Sequence, residues 1–335
     1  MKESGSPGIL FENLDLTPIH PILWTGLHQY GPGRPVDYHP EWDLRALMLR
    51  QLLQIPYVKD LVKRLSREPN LRRICGYGDK APTEAHFTQM KRRIGAEGFR
   101  LIEAYLRQEA LRLRLSQPLS AVGLVQAACI DGTDLRAWSS RDMGDSRHGL
   151  GDPDARLGRG KGGFYLGYRS LFLVDIEGFP LGHVEAPANV NEKSMVEPLL
   201  DSILGEDIEL ELVAGDSQLD SQAVFDSLES RKVAHIVARR RMRGRENPPD
   251  VLTVKDRIGV EGPDWMCVTY RLLRSKAESL IGRVKGRLGF ERLTWQGIRN
   301  ANIHVSLVLS VVYAATIAAA RIEKPEMRQS IAYFA

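Results

Sequence analysis

The chain has little cysteine. Cys75, Cys129 and Cys267 are the three in 335 residues. They are scattered, odd in number and form no CxxC pair, which argues against a disulfide framework or a thiolate zinc site and fits a reducing cytoplasm. No histidine cluster stands out, and no internal repeat is visible. "GRGKGG", Gly158 to Gly163, lacks the spacing of a nucleotide-cradling loop and reads as a flexible, DNA-contacting segment. The polar start Met1–Pro7 does not resemble a signal peptide. Long uncharged runs are also rare. The exception, Ala301 to Ala320, could just span a bilayer by length. Asn302, His304, Ser306, Ser310 and Thr316 are spread along it, and its end is alanine-rich, so it reads as a buried C-terminal core helix with no membrane partner.

What is present is a globular composition, 43% hydrophobic and 26% charged. The net charge is only +4, but it is unevenly spread. Lys59–Arg114 carries 14 basic against 7 acidic residues, Arg231–Arg257 carries 9 against 3, and Arg271–Asn300 carries 8 against 2. Leu115–Ser230 carries 8 against 20. Any one basic segment could be a solvated helix face. Three around an acidic centre suggest a polyanion partner and a metal site.

The first 118 residues read as helical. Leu44, Leu47, Leu49, Leu52 and Leu53 make a dense core helix, and Val58, Leu61, Val62 and Leu65 form one stripe. After the turn "GYGDKAP", Thr83 caps a helix with Phe87, Met90 and Ile94 inward and Lys91, Arg92 and Arg93 outward. A last long helix runs from about Ala96 to Leu115. Short helices around a glycine turn suit a helix-turn-helix-like DNA-binding module.

"SQPLS", Ser116 to Ser120, marks the expected boundary. Strands are then expected at Val122–Ile130, Phe164–Val174, Pro180–Ala186, Ile208–Asp216, Val233–Arg239 and Trp265–Tyr270. Helices are expected near Glu192–Ile203 and Ser221–Ser230, and as a pair after Tyr270. Arg141–Gly163 reads as a mobile loop, and about 241–263 as an insertion. The fold class is α/β, a mixed sheet flanked by helices after an all-α domain. The predicted domains are 1–118, 119–322 and a tail, 323–335.

Three acids draw attention. Asp131 and Asp216 are each the first carboxylate after an apolar strand, in "LVQAACID" and "IELELVAGD". Strand ends hold side chains rigidly at the place where open α/β sheets bind ligands, although Asp is also common there for turn chemistry alone. Asp134 lies three residues beyond Asp131 and so points to the opposite face of an extended strand; it reads as a turn or surface carboxylate. In "YRLLRSKAESLIGRVKGRLGF", Arg274, Glu278 and Lys285 fall on one flank of the helix's apolar stripe. Arg274 and Glu278 could be a plain i, i+4 ion pair, or Glu278 a metal ligand among phosphate-binding cations.

Taken in order, "IDGTDLRAWS", "LVAGDSQLDS" and "RSKAESLIGRVKGRLG" resemble the three acid motifs of a DDE-class insertion-sequence transposase of the tyrosine–arginine–glutamate–lysine signature group. "YLGYRSLFLVDIEGFPLGHVEAPANVNEKSM" is similar to the hairpin and loop between its two aspartates, and Tyr38–Gly95 to its helical N-terminal domain. The resemblance covers about Leu16 to Ile322. It implies a ribonuclease H-like fold, with Asp131, Asp216 and Glu278 as catalytic acids holding two Mg²⁺ ions, or Mn²⁺ in their place. Tyr270, Arg274 and Lys285 match the rest of the signature. Tyr270 stands one residue too far from the arginine, so Arg271 is an alternative partner, and Glu192 stands where relatives often have aspartate. DNA contacts are expected from Tyr270, Arg271, Arg274, Lys285, Lys91, Arg92, Arg93, Arg239 and Arg240. The implied partners are double-stranded DNA, as transposon ends and target, and a second copy of the chain in a homodimer. The implied setting is the prokaryotic cytoplasm and nucleoid. A DNA-binding copy that no longer cuts, or a nuclease without strand transfer, are the other readings.

Overall fold

The computed structural model describes residues 6–27, 36–116, 127–141, 144–145, 147–160, 162–203, 208–240, 248, 250–255 and 259–335. Packing divides the chain into two units. One takes Met1–Ala121, Val284–Trp295 and Arg299–Ala335, and the other Val122–Arg283 and Gln296–Ile298.

The first unit begins with α1 (Pro7–Glu12), α2 (His20–Leu23), α3 (Pro40–Leu52), α4 (Val58–Arg67), α5 (Pro69–Cys75) and α6 (Glu84–Ser116). The predicted stripes face inward: Leu44, Leu47, Leu49 and Leu52 are buried, as are Val58, Leu61 and Leu65. Thr83 caps α6, its Oγ1 accepting from the His86 N–H at 3.3 Å. Gly95 then breaks the helix at φ 69° and ψ 172°, a left-handed conformation that a residue with a Cβ rarely adopts. The two helices expected on either side of it therefore run on from one another.

The second unit is built on a mixed sheet. Its strands are β1 (Ala127–Arg136), β2 (Arg156–Gly160), β3 (Gly163–Asp175), β4 (Pro180–Pro187), β5 (Leu212–Gly215) and β6 (Ala234–Val237). The order is β2-β3-β1-β5-β6, with β4 also paired to β3. The hairpin-linked strands run antiparallel, whereas β1, β5 and β6 are parallel. Parallel neighbours need a crossover, and α7 (Val196–Asp201) and α8 (Gln222–Ser230) supply the helices between β4, β5 and β6. Ser221 caps α8 through its side chain. A small ladder, β7 (Thr253–Val254) and β8 (Val260–Glu261), precedes the long α9 (Asp264–Arg287). This mixed sheet flanked by helices is the ribonuclease H-like arrangement that the resemblance implies.

Several expectations are corrected. Trp265–Tyr270 is not a strand but the opening of α9. Cys267, Tyr270, Leu273 and Ala277 are buried at helical spacing, and that stripe overrides the strand preference of six aromatic and β-branched-rich residues. The Arg141–Gly163 loop contains strand β2, hydrogen-bonded to β3. Strand β1 is described from Ala127 and runs on to Arg136, so Asp134 lies in the strand rather than in a turn. The predicted start at Val122, the "SQPLS" boundary from residue 117 on, and residues 241–247 of the insertion lie outside the described residues.

α10 (Ile298–Arg321) is long and apolar enough to cross a membrane by composition, and its most apolar window is wholly buried within the structure. From Arg299 it packs with the N-terminal helices, as does α11 (Ile331–Phe334). The predicted division at 118 and 322 is thus not the one that packing draws. Ser306 on α10 shows how the N-terminal unit takes the helix in: its hydroxyl donates to Glu103 Oε2 on α6 at 2.8 Å.

Candidate active site

The last register pair between parallel strands β1 and β5 is Ile130↔Gly215. Asp131 and Asp216 are the next residue on each strand, so the sheet brings two carboxylates level where the two strands stop pairing. Each is oriented locally: Asp131 Oδ1 accepts from the Gly132 N–H at 3.1 Å, and Asp216 Oδ1 from the Gln218 N–H at 2.7 Å.

Helix α9 contributes the remainder. Arg274 places one guanidinium nitrogen 3.6 Å from Asp216 Oδ2 and another 3.0 Å from Glu278 Oε1. Burial alone would depress the Arg274 pKa. The charges of Asp131, Tyr270 and Asp216, with the Glu278 hydrogen bond, outweigh it and raise the value well above that of a free arginine. The three predicted acids therefore share one cation. Cys129, buried on the same strand, feels the same set: burial first, then Asp131, Asp216 and Glu278, push its thiol far up, with Arg274 opposing them. A thiol so placed stays protonated and is no nucleophile.

The donor set fits a hard divalent ion. It offers carboxylate oxygens without sulfur or imidazole, and three acids against one guanidinium leave a surplus of negative charge. Such a surplus is costly among like charges unless a cation enters.

The family comparison decides the class. The model described as "Transposase DDE domain" matches residues 126–313, and "Transposase domain (DUF772)" matches 9–93. The chain belongs to the DDE transposase domain family. Among solved structures it is similar to the "Mos1 transposase paired-end complex with left transposon end", at 14% identity and a TM-score of 0.22. That overlap covers 62% of this chain and 61% of the other, so the chain spans less than two thirds of that relative's length. No curated protein matches it.

Within this DDE domain the other predicted contact residues separate. Tyr270 is 8% exposed, and its ring lies 5.9 Å from the Arg274 guanidinium carbon; it supports the arginine from within. Arg271 is exposed on the same helix. Arg240 is exposed beside the loop after Asp216, donating to Ser217 O at 3.1 Å, and its backbone N–H reaches Asp220. Arg239 is half-buried over the Phe225 ring. Lys285 pairs with Glu291 at 3.0 Å.

The outward cations of α6 need correction. Arg92 is exposed as expected. Arg93 is half-buried and donates to the carbonyls of Leu23 and Thr25. Lys91 is 7% exposed, with its Nζ 3.1 Å from the centre of the Trp295 ring. It follows Phe87 by four residues and precedes Ile94 by three, so the helical wheel itself puts it beside the apolar face.

Three features escaped the sequence reading. Asp134 is the direct partner of Arg169 across β1 and β3, a pairing that needs strand register. Glu192 pairs with Arg169 at 3.5 Å next to the acid site. His20, His39 and Glu41 bring their ligand-type atoms within 4.8 Å of one another. In that cluster His39 Nδ1 accepts from the Glu41 N–H at the start of α3, and His20 Nε2 meets Glu41 Oε2 at 2.8 Å. A helix cap and an ion pair account for that grouping.

Proposed function

We propose that this chain cleaves and joins DNA at the ends of the mobile element that encodes it, with Asp131, Asp216 and Glu278 as its metal-holding catalytic acids. The observation that carries this reading is the level placement of Asp131 and Asp216 past the last β1–β5 pair, with Arg274 tied to both Asp216 and Glu278. When bound, a pair of divalent ions, Mg²⁺ or Mn²⁺, supplies charge relief at the scissile phosphate and activates a hydroxyl for in-line attack.

The chain's own residues do the rest. The two aspartates are fixed by the sheet, and their turn N–H groups hold the carboxylates in place. Glu278 rides on α9, a rigid 24-residue helix, so it meets the sheet end in one orientation. Arg274 keeps its charge under all working conditions and offers planar, two-pronged recognition of a phosphate once cations take its share of the carboxylates. The buried Tyr270 ring limits where that guanidinium can swing. Exposed Arg271 and Arg240 contact the DNA backbone without reading sequence. The partners on this reading are double-stranded transposon ends and target DNA. Acting on two ends calls for a homodimer.

The test is cleavage of a duplex carrying the inverted repeats that flank the reading frame, with Asp131→Ala as control. Metal-dependent cleavage that disappears in the variant supports the assignment. Cleavage that survives the substitution, or that needs no divalent metal, overturns it.

A further inference from the structure

Glu192 stands at the same end of the sheet but comes from its other face. It opens the 3₁₀ turn Glu192–Met195, whose preceding Asn191 side chain accepts from the Lys193 N–H at 3.1 Å. Lys193 Nζ donates to Asp220 O at 2.5 Å, tying the turn to the loop that follows Asp216. The turn is thus anchored on both sides of the acid site.

The carboxylate is pressed onto strand β1. A Cβ at Gly132 would lie 3.0 Å from the Glu192 Cδ and Oε1 and 3.2 Å from its Oε2, so only glycine leaves room. Gly132 directly follows Asp131, and neighbours on a strand face opposite sides. Glu192 therefore lies behind Asp131, where the parting of β1 from β5 after Ile130↔Gly215 opens the sheet between its two faces. The charges of Asp216 and Asp131 both reach it.

Its cationic contact is weak for so buried an acid. The side chain is 12% exposed, and Arg169 Nε sits 3.5 Å from Oε1. The other two nitrogens of Arg169 are committed to Val190 O at 3.3 Å and Arg159 O at 3.0 Å, and Asp134 lies directly across the ladder from Arg169. A plain structural salt bridge would use the guanidinium's fork on one carboxylate. Here the fork fixes backbone, and the carboxylate is left beside two other acids. That arrangement suits a group whose countercharge arrives from elsewhere.

We propose that Glu192 is a fourth carboxylate of the divalent-metal centre, presented from the opposite face of the sheet where β1 and β5 part, with Arg169 as the residue that positions it. The proposal rests on Asp131, Asp216 and Glu278 holding the metal.

Calorimetric titration of the full chain with Mn²⁺, without DNA, tests it. Glu192→Gln keeps the volume and removes the charge; it should weaken Mn²⁺ binding about tenfold or more, the range seen when a partner of a metal site is lost. Glu192→Asp should recover part of that loss. Unchanged Mn²⁺ affinity in Glu192→Gln, alongside lost binding in Asp131→Asn, overturns the role of Glu192 and leaves the three-acid site standing. Unchanged binding in Asp131→Asn overturns the three-acid reading, and the fourth carboxylate with it. A measurement on the wild-type chain needs no variant to fold. Fe²⁺ with ascorbate and peroxide cuts backbone near bound metal. Cuts at 190–194 together with those near Asp131 and Asp216 support the proposal, and cuts near the two aspartates without any at 190–194 overturn it.

Discussion

The two units bury charge in opposite ways. In the sheet unit, Asp131, Asp216 and Glu278 crowd around a single arginine. In the helical unit, Arg50, Lys91 and His304 gather about Trp295 and Phe290 with neutral partners. Arg50 is 1% exposed, donates to Pro56 O and to Thr294 Oγ1, and leaves its Nε and Nη1 without an acceptor. His304 donates from Nε2 to Phe290 O at 2.8 Å and meets Gln51 through Nδ1. Burial, with Arg50 nearby, drops its pKa to about 4, so it is neutral. Both clusters cost desolvation. The acid cluster stands at a strand end, where a cation can enter. The cation cluster is stacked on aromatic rings and closed off, and it serves packing. The difference separates charge kept for chemistry from charge tolerated by the fold.

The largest effect expected from this contrast is at Asp216. Asp216→Asn should reduce metal-dependent cleavage by roughly 10³-fold, because a lost metal ligand removes several kcal/mol of charge stabilisation in the transition state. The same change should not destabilise the metal-free chain, since it removes one of three like charges and keeps the oxygen that accepts from Gln218. Melting with and without Mg²⁺ checks both halves. The wild type should gain stability with metal, as any ligand of the folded state confers, and the variant should gain little. A variant that melts well below the metal-free wild type would make the acid cluster structural, like its counterpart.

How far the site was legible follows from the range of the contacts involved. Asp131 and Asp216 were readable because an apolar run ending in a carboxylate is a local pattern, and Glu278 with Arg274 because both lie on one helical wheel. Lys91 was misread although its wheel position beside Phe87 and Ile94 carried the information; a basic neighbourhood outweighed it. Trp265–Tyr270 looked like a strand because six residues are too few to show a helical period, which emerges only when Leu273 and Ala277 are added. Glu192 could not be read at all as a neighbour of Asp131. Its placement depends on Gly132 leaving room and on Arg169 arriving from another strand, and both are long-range consequences of register.

Lys91 gives the next prediction in size. Burial first, then Arg50, lowers its pKa to about 7, against about 10.4 in an unfolded chain. Between these values the unfolded chain holds the proton and the folded chain does not, so stability rises with pH from about 7 to 10. The penalty is fully present below 7. The Trp295 face offsets part of it. Lys91→Met should therefore stabilise the chain by about 1–4 kcal/mol at pH 6, as apolar replacement of buried charge often does. It should also flatten the rise between pH 7 and 10. Denaturant melts across that range measure both. A variant less stable than the wild type at pH 6 would mean that the cation–π contact outweighs desolvation.

The smallest effect distinguishes the two kinds of cation by their use. Exposed Arg271 can meet a phosphate, and each such contact releases counterions, so its loss lowers the slope of log affinity against log salt by about 1. Arg271→Ala should weaken DNA binding only a few-fold at moderate salt, nearly equally for related and unrelated sequences, because phosphate contacts carry no sequence information. Lys91→Met should leave the slope unchanged, since a side chain stacked on Trp295 has no phosphate to release. Fluorescence-anisotropy titrations of one duplex at four salt concentrations give both slopes from the same protein preparations. Equal slopes for Arg271→Ala and the wild type would remove Arg271 from the DNA interface, and a reduced slope for Lys91→Met would show that the buried cluster opens when DNA binds.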